Sequence, residues 1–86
     1  MNEGEIYEGI RQILNETFKL RLQDIKEDSR LDEDLGLDSV DFMDAVGLFE
    51  EKFGIVLIDE KEKEPFRVET VKDIVQLTIK KQSRQR

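Results

Sequence analysis

A serine hydroxyl at the start of a predicted helix is the group in this sequence that could take part in chemistry. Ser39 lies in the segment 34–41 (DLGLDSVD), directly after Asp38 and shortly after Gly36. The 86-residue chain contains no histidine and no cysteine, which excludes Ser-His-Asp and Cys-His catalysis and the usual zinc sites. Any reaction at the Ser39 hydroxyl must therefore be carried out by another protein. The same residues also have a structural explanation, because aspartate and serine are preferred at helix starts for capping alone.

The charge of the chain narrows the classes of partner. Asp and Glu number 21 against 14 Lys and Arg, a net charge of −7, and the segment 24–51 holds 11 acids with only Lys26 and Arg30 as bases. A negative surface repels phosphate backbones, which argues against nucleic-acid binding and favours partners with basic patches. No apolar run reaches membrane-spanning length, and the N-terminus lacks the features of a signal peptide. We therefore expect a cytoplasmic protein without a membrane span.

Three helices are predicted to position Ser39, over residues 2–20, 39–53 and 69–81. Apolar residues recur at three- and four-residue steps in each of them, as on the buried face of a helix. Asp38 is the expected N-cap of the second helix, and Gly54 is expected to end it. The apolar stripes are Ile6, Ile10, Ile13, Leu14 and Phe18 in the first helix, Phe42, Ala45, Val46, Phe49 and Phe53 in the second, and Val71, Ile74, Val75 and Thr78 in the third.

The connecting segments are expected to complete the core of one domain over residues 1–79. Residues 55–58 (IVLI) predict a packed turn, because a lone strand has nothing to pair with in so short a chain. Phe66 and Val68 are expected to fill the core between the second and the last helix. Residues 80–86 (KKQSRQR) predict a disordered basic tail. Between the first two helices, isolated apolar residues predict a long loop packed over the core; they are Leu22, Ile25, Leu31, Leu35 and Leu37.

Around Ser39 the sequence resembles the acyl carrier proteins. The run Gly36-Leu37-Asp38-Ser39-Val40 is similar to the family's attachment signature Gly-x-Asp-Ser-Leu, with valine in place of the usual leucine. The resemblance extends over nearly the whole chain, through the Asp24-Ile25 pair of the loop, the acidic second helix and the Thr70-Val71 start of the last helix. It implies an all-α fold, a small three- to four-helix bundle with a long loop between the first two helices.

The resemblance implies a carrier that is not itself an enzyme. Ser39 would be esterified by 4′-phosphopantetheine, which a separate phosphopantetheinyl transferase takes from coenzyme A, and Asp38 would support this modification. The arm ends in a thiol that holds acyl groups as thioesters, which fits a chain without cysteine. The protein, expected to be a monomer, would then deliver acyl intermediates to fatty-acid, polyketide or related biosynthetic enzymes.

One face of the second helix is implied to dock on partner enzymes. Its acids would meet basic residues around a partner's active-site entrance and steer the encounter, while its apolar residues would make a small central contact. The face consists of Val40, Asp41, Met43, Asp44, Gly47, Glu50 and Glu51. Gly47 stands where the family commonly has a larger apolar residue, and the chain before Thr70 is slightly longer than in typical fatty-acid carriers. These departures favour a specialised carrier over a housekeeping one.

Other functions fit parts of the same sequence. Aminoacyl, peptidyl and D-alanyl carriers use the same serine chemistry, and an unmodified acidic helical module would need no arm. A calcium switch is a weaker alternative, because placing the glycine of an EF-hand loop on Gly36 puts Leu31 at the first ligand position. No metal site is therefore predicted. A gain of mass after incubation with coenzyme A and a transferase distinguishes carriers from the other two classes.

Overall fold

Three α-helices make up most of the described part of the molecule. The computed structural model describes residues 1–58 and 68–84. The helices are α1 (Glu3–Phe18), α2 (Ser39–Phe53) and α3 (Val71–Arg84).

The connection between α1 and α2 contains a single 3-10 turn, Leu22–Asp24. Within residues 1–58 and 68–84 there is no strand, only an isolated bridge between Arg30 and Thr70. The predicted all-α bundle, with a long loop between its first two helices, is confirmed. The predicted packing of Phe66 lies outside the described residues.

The ends of the helices follow local sequence signals. Each helix begins with a residue whose side chain accepts the backbone N–H three positions later, and the acid at that later position bonds back. Gly54, in the left-handed conformation at φ 65°, ends α2, so both predicted ends of this helix are confirmed. The capping pairs are Asn2–Glu5, Asp38–Asp41 and Thr70–Asp73.

The core lies where the apolar stripes of the three helices meet. Ile6, Ile10 and Leu14 of α1 are fully buried, and Phe49 of α2 is buried against the same cluster. Burial of a side chain of this size contributes about 1.5–3 kcal/mol. The other stripe residues of α2 and α3 are buried as predicted, except that Phe42 and Phe53 are half-buried; the buried ones are Ala45, Val46, Val71, Ile74, Val75 and Thr78.

The long loop is fastened to α1 through its backbone carbonyls. Arg11 donates from Nε to the Ile25 carbonyl at 2.9 Å and from Nη2 to the Leu22 carbonyl at 2.6 Å. The Tyr7 hydroxyl donates to the same Ile25 carbonyl at 3.3 Å. Ile25 is fully buried, as predicted, together with the anchors Leu31, Leu35 and Leu37. The predicted anchor Leu22 is 43% exposed instead, because α1 holds this residue by its carbonyl rather than by its side chain.

The same loop satisfies the first turn of α3. The backbone N–H of Val71 donates to the Ser29 carbonyl at 3.1 Å, and that of Lys72 donates to the Glu27 carbonyl at 2.9 Å. These N–H groups have no acceptor within their own helix, so the loop carbonyls replace the water that would otherwise bond them. The loop that leads to Ser39 is thereby attached to both other helices.

The C-terminal helix extends beyond its predicted end. α3 continues to Arg84, so residues 80–84, assigned from the sequence to a disordered tail, are helical. Lys81 is only 4% exposed, because it continues the three- and four-residue spacing of the buried α3 stripe. Gln82 adds a hydrogen bond from Nε2 to the Met1 carbonyl at 3.2 Å.

The start of α3 makes stability depend on pH through Asp73. Partial burial by itself would raise the pKa of Asp73, but hydrogen bonds from the Glu69 and Thr70 backbone N–H groups, at 2.9 and 3.0 Å, and from the Thr70 side chain lower it overall. A depressed folded pKa adds stability above the unfolded pKa of about 3.9, and this stability is lost as the pH falls through the folded pKa.

We therefore expect Asp73→Asn to lower the urea midpoint near pH 7, with the difference from wild type shrinking below about pH 4. Denaturation curves at several pH values measure this difference. Asp44→Asn, which removes an exposed carboxylate on α2, is the matched control. A deficit of Asp73→Asn that stays constant down to low pH would contradict the assignment.

Candidate functional site

Ser39 is the first residue of α2, and its side chain is exposed. The preceding residue, Asp38, does the capping: its Oδ1 accepts the Asp41 backbone N–H at 2.8 Å, while Asp41 Oδ2 accepts the Asp38 backbone N–H at 3.3 Å. The hydroxyl of Ser39 is therefore not needed to start the helix. The sequence alone did not separate helix capping from the presentation of a reactive hydroxyl. In the structure Asp38 caps the helix, and Ser39 stays at the surface.

A tight turn in the loop sets the direction from which the chain enters α2. Gly36 has φ 69°, a backbone angle that residues other than glycine rarely adopt. Its N–H donates to the Asp32 carbonyl at 3.0 Å. Leu37, the next residue, is 7% exposed and donates its N–H to the Leu31 carbonyl at 2.9 Å. A left-handed turn followed by a buried anchor thus fixes the two residues before the Asp38–Ser39 pair.

An ion pair closes the same turn. Asp34 Oδ2 accepts the Arg30 backbone N–H at 2.7 Å, and Asp34 also lies 3.3 Å from the Arg30 guanidinium. The pKa of Asp34 is lowered, first by the backbone hydrogen bond and then by that side chain. Both side chains are largely exposed, so the ion pair itself adds little stability. The backbone hydrogen bond to Asp34 is the interaction that stabilises the turn. Asp34 in the 34–36 segment therefore has a structural role, because its carboxylate holds the loop.

A cavity of about 200 Å³ opens beside Ser39. Its lining comes from the loop, from α2 and from the residues just before α3, and it combines apolar and charged side chains. Val68, predicted to fill the core, is half-buried and lines this cavity. The apolar lining residues are Leu31, Leu37, Phe42 and Val68, and the polar ones are Asp32, Asp38, Ser39 and Glu69. The exposed hydroxyl therefore lies next to both solvent and an apolar recess.

The outer face of α2 carries exposed apolar and acidic side chains together. Val40 is 67% exposed and Met43 is 54% exposed, so two apolar side chains three positions apart lie together at the surface. Leu48, which the sequence reasoning left out of this face, is 37% exposed, and its position four residues after Asp44 was the available signal. The predicted members Asp44, Gly47 and Glu51 are exposed as well, while Asp41 is half-buried in the cap.

Glu50 is placed differently from the other acids of that face. Its Oε2 accepts the backbone N–H of Leu57 at 2.8 Å and that of Ile58 at 3.4 Å, and the residue is half-buried. This carboxylate holds the segment after α2, in which Leu57 and Ile55 are buried as the predicted packed turn requires. Charge and position do not distinguish Glu50 from the neighbouring Glu51, so the sequence carried no signal for this contact.

The described residues offer neither a metal site nor a membrane span. Within residues 1–58 and 68–84, no group of three or more histidine, cysteine, aspartate or glutamate side chains could hold a metal ion. None of the helices in this described part is long and apolar enough to cross a membrane.

Comparison with known proteins identifies relatives over most of the chain. Residues 8–77 match the family model described as "Phosphopantetheine attachment site". An "Acyl carrier protein" from Wolinella succinogenes is 36% identical over 70 residues, which cover 81% of this chain and 88% of that protein. One from Thermotoga maritima is 36% identical over 77 residues, covering 90% and 91% of the two chains. One from Saccharopolyspora erythraea is 34% identical over 79 residues, covering 92% and 80%.

Proposed function

Because the chain belongs to the phosphopantetheine-attachment family of acyl carrier proteins, we propose that Ser39 is the residue esterified by 4′-phosphopantetheine. The observation that carries this proposal is a comparison of the serines, of which the chain has three: Ser29, Ser39 and Ser83. Ser83 lies outside the family match over residues 8–77. Ser29 is 6% exposed, and its Oγ donates to the Asp24 carbonyl at 2.9 Å. Ser39 is thus the exposed serine within the matched region.

The surroundings of Ser39 fit a phosphodiester and the arm beyond it. The hydroxyl is at the first position of α2, where the helix dipole is positive and stabilises a phosphate group. The adjacent cavity offers apolar walls on one side and solvent on the other. An acyl carrier protein covalently binds 4′-phosphopantetheine, and the arm supplies the thiol, absent from this chain, that carries acyl groups as thioesters. Ser39 and the turn before it contribute a fixed point of attachment.

The proposed role of the chain is that of a substrate and carrier for other enzymes. Family membership implies interaction with a phosphopantetheinyl transferase and with biosynthetic enzymes. We place their contact on the outer face of α2, where Val40 and Met43 are exposed beside Asp44 and Glu51. Basic patches on these enzymes would complement the acids and speed the encounter more than they would tighten the complex. The proposed location is the cytoplasm, where coenzyme A is available as the donor of the arm.

Intact-protein mass spectrometry tests the attachment directly. The protein is purified without its arm and incubated with coenzyme A and a phosphopantetheinyl transferase, and we expect a gain equal to one phosphopantetheine group. Fragmentation should place this gain on the peptide that contains Ser39. A chain that gains no mass would be an unmodified acidic module. Subsequent loading with acyl and aminoacyl donors distinguishes an acyl carrier from an aminoacyl or D-alanyl carrier.

Replacing Asp38 is expected to slow this modification. Asp38→Ala removes the α2 cap, which should cost about 0.5–2 kcal/mol of stability and loosen the turn that presents Ser39. The transferase kcat/KM should fall while the far-ultraviolet circular dichroism stays helical. Asn2→Ala is the matched control, because it removes the equivalent cap of α1. Equal kcat/KM values for the two variants would refute a role of Asp38 at the attachment site.

A further inference from the structure

Gly47 is a glycine that the fold does not require. It lies within α2, is exposed, and has no positive φ. A Cβ atom added there would have no neighbour within 4 Å. Gly9 in α1 is the contrast, because a Cβ there would come within 2.9 Å of Lys52 and 3.0 Å of Phe53. Close packing therefore requires a glycine at position 9. Gly47 weakens its helix, and no packing contact requires a glycine there.

The missing side chain leaves a gap in the outer face of α2. Residues three and four positions away are the surface neighbours on a helix, and for Gly47 these include Met43, Asp44 and Glu51. Met43 is 54% exposed, and the two acids are exposed as well. By helical spacing, the open space over Gly47 lies between an apolar side chain and carboxylates, although none of their side-chain atoms comes within 4 Å of the added Cβ position. A protein that approaches this face can come closer to the helix backbone at Gly47 than a larger residue would permit.

Gly47 lies within reach of any enzyme that acts on the Ser39 hydroxyl. Eight residues of helix separate the two positions, which is about 12 Å along the axis. A typical interface covers about 800 Å² on each partner, a patch with a radius of roughly 16 Å. All of the proposed partners are expected on this face, but only the transferase must also reach the hydroxyl itself. Gly47 therefore lies within the area that an interface of this size can cover.

We propose that the phosphopantetheinyl transferase inserts a large apolar side chain from a basic surface into the gap over Gly47, so that this glycine determines which transferase recognises the chain. The inference rests on the proposed function of Ser39. The exposed carboxylates of Asp44 and Glu51 match a basic surface, and Met43 provides an apolar contact for the inserted side chain. A side chain at position 47 would occupy the same space and exclude it.

The test compares Gly47→Ala and Gly47→Met with the wild type as substrates of the transferase from the same organism. Gly47→Ala should raise the melting temperature by roughly 4–8 °C, since alanine favours the helix. The transferase KM should nevertheless rise, by about tenfold for Gly47→Met and less for Gly47→Ala, with kcat within about twofold. Gly4→Ala and Gly4→Met are the matched controls, because Gly4 is also an exposed helical glycine. They should leave KM unchanged.

The other possible outcomes contradict the inference, and each one identifies which part of it is wrong. Unchanged KM for both Gly47 variants, with wild type modified normally, would overturn this inference and leave the assignment of Ser39 intact. Failure of the wild type to gain an arm would overturn both. A wild type that is dimeric in sedimentation, and monomeric as Gly47→Met, would assign the gap to a second copy of the chain instead. Gly47→Ala provides the measurement if Gly47→Met does not fold.

Discussion

Ser39→Ala is expected to abolish the attachment of phosphopantetheine completely while leaving the fold unchanged. The hydroxyl is exposed, and the cap of α2 belongs to Asp38, so removing the oxygen takes away the ester site and no structural contact. The free energy of unfolding should stay within about 0.5 kcal/mol of the wild type, as for other exposed substitutions. Mass spectrometry after treatment with coenzyme A and a transferase, together with urea denaturation, measures both effects.

The control for this experiment is Ser83→Ala. Ser83 is an exposed helical serine that lies outside the matched region 8–77, so its removal should leave the full mass gain. Ser29 is less suitable, because its buried hydroxyl bonds the loop and its loss would disturb the fold. If Ser39→Ala still gained the arm, the attachment would lie elsewhere and the proposed function of this serine would be wrong.

Glu50→Ala is expected to lower stability more than any other substitution of an acid on α2, by about 1–3 kcal/mol. The reason is that the Leu57 and Ile58 backbone N–H groups would lose their acceptor in a half-buried position. Leu57 is 2% exposed, so loosening this segment also disturbs the core. The midpoint of urea denaturation measures the loss, and a decrease of roughly 4–8 °C in melting temperature per kcal/mol should accompany it.

Two variants separate this structural role from docking. Glu50→Gln keeps an oxygen that can accept the same N–H groups, so it should recover part of the lost stability. Glu51→Ala removes the neighbouring, exposed carboxylate and should leave stability nearly unchanged while raising the transferase KM. If Glu50→Ala instead kept its stability and raised KM as Glu51→Ala does, Glu50 would act in docking as the sequence predicted.

Local signals in the sequence account for most of the fold. The bounds of α2 were predicted at both ends, because its cap, its apolar stripe and Gly54 all lie within or next to the helix itself. The stripes of α1 and α3 were predicted for the same reason, since helical periodicity is a property of neighbouring residues. The Asp38–Ser39 pair likewise stands out locally, at the point where a glycine-containing loop meets a helix.

The sequence by itself thus determined the three helices, the position of Ser39 at the start of α2 and the family of the chain. Only the tertiary structure decided that Glu50 holds the segment after α2 and that the loop is fastened to α1 by Arg11. These features depend on contacts between residues that the chain brings together when it folds back on itself. A side chain's charge and spacing do not reveal such contacts, because its partner is a backbone group or a core surface placed by the packing of other elements.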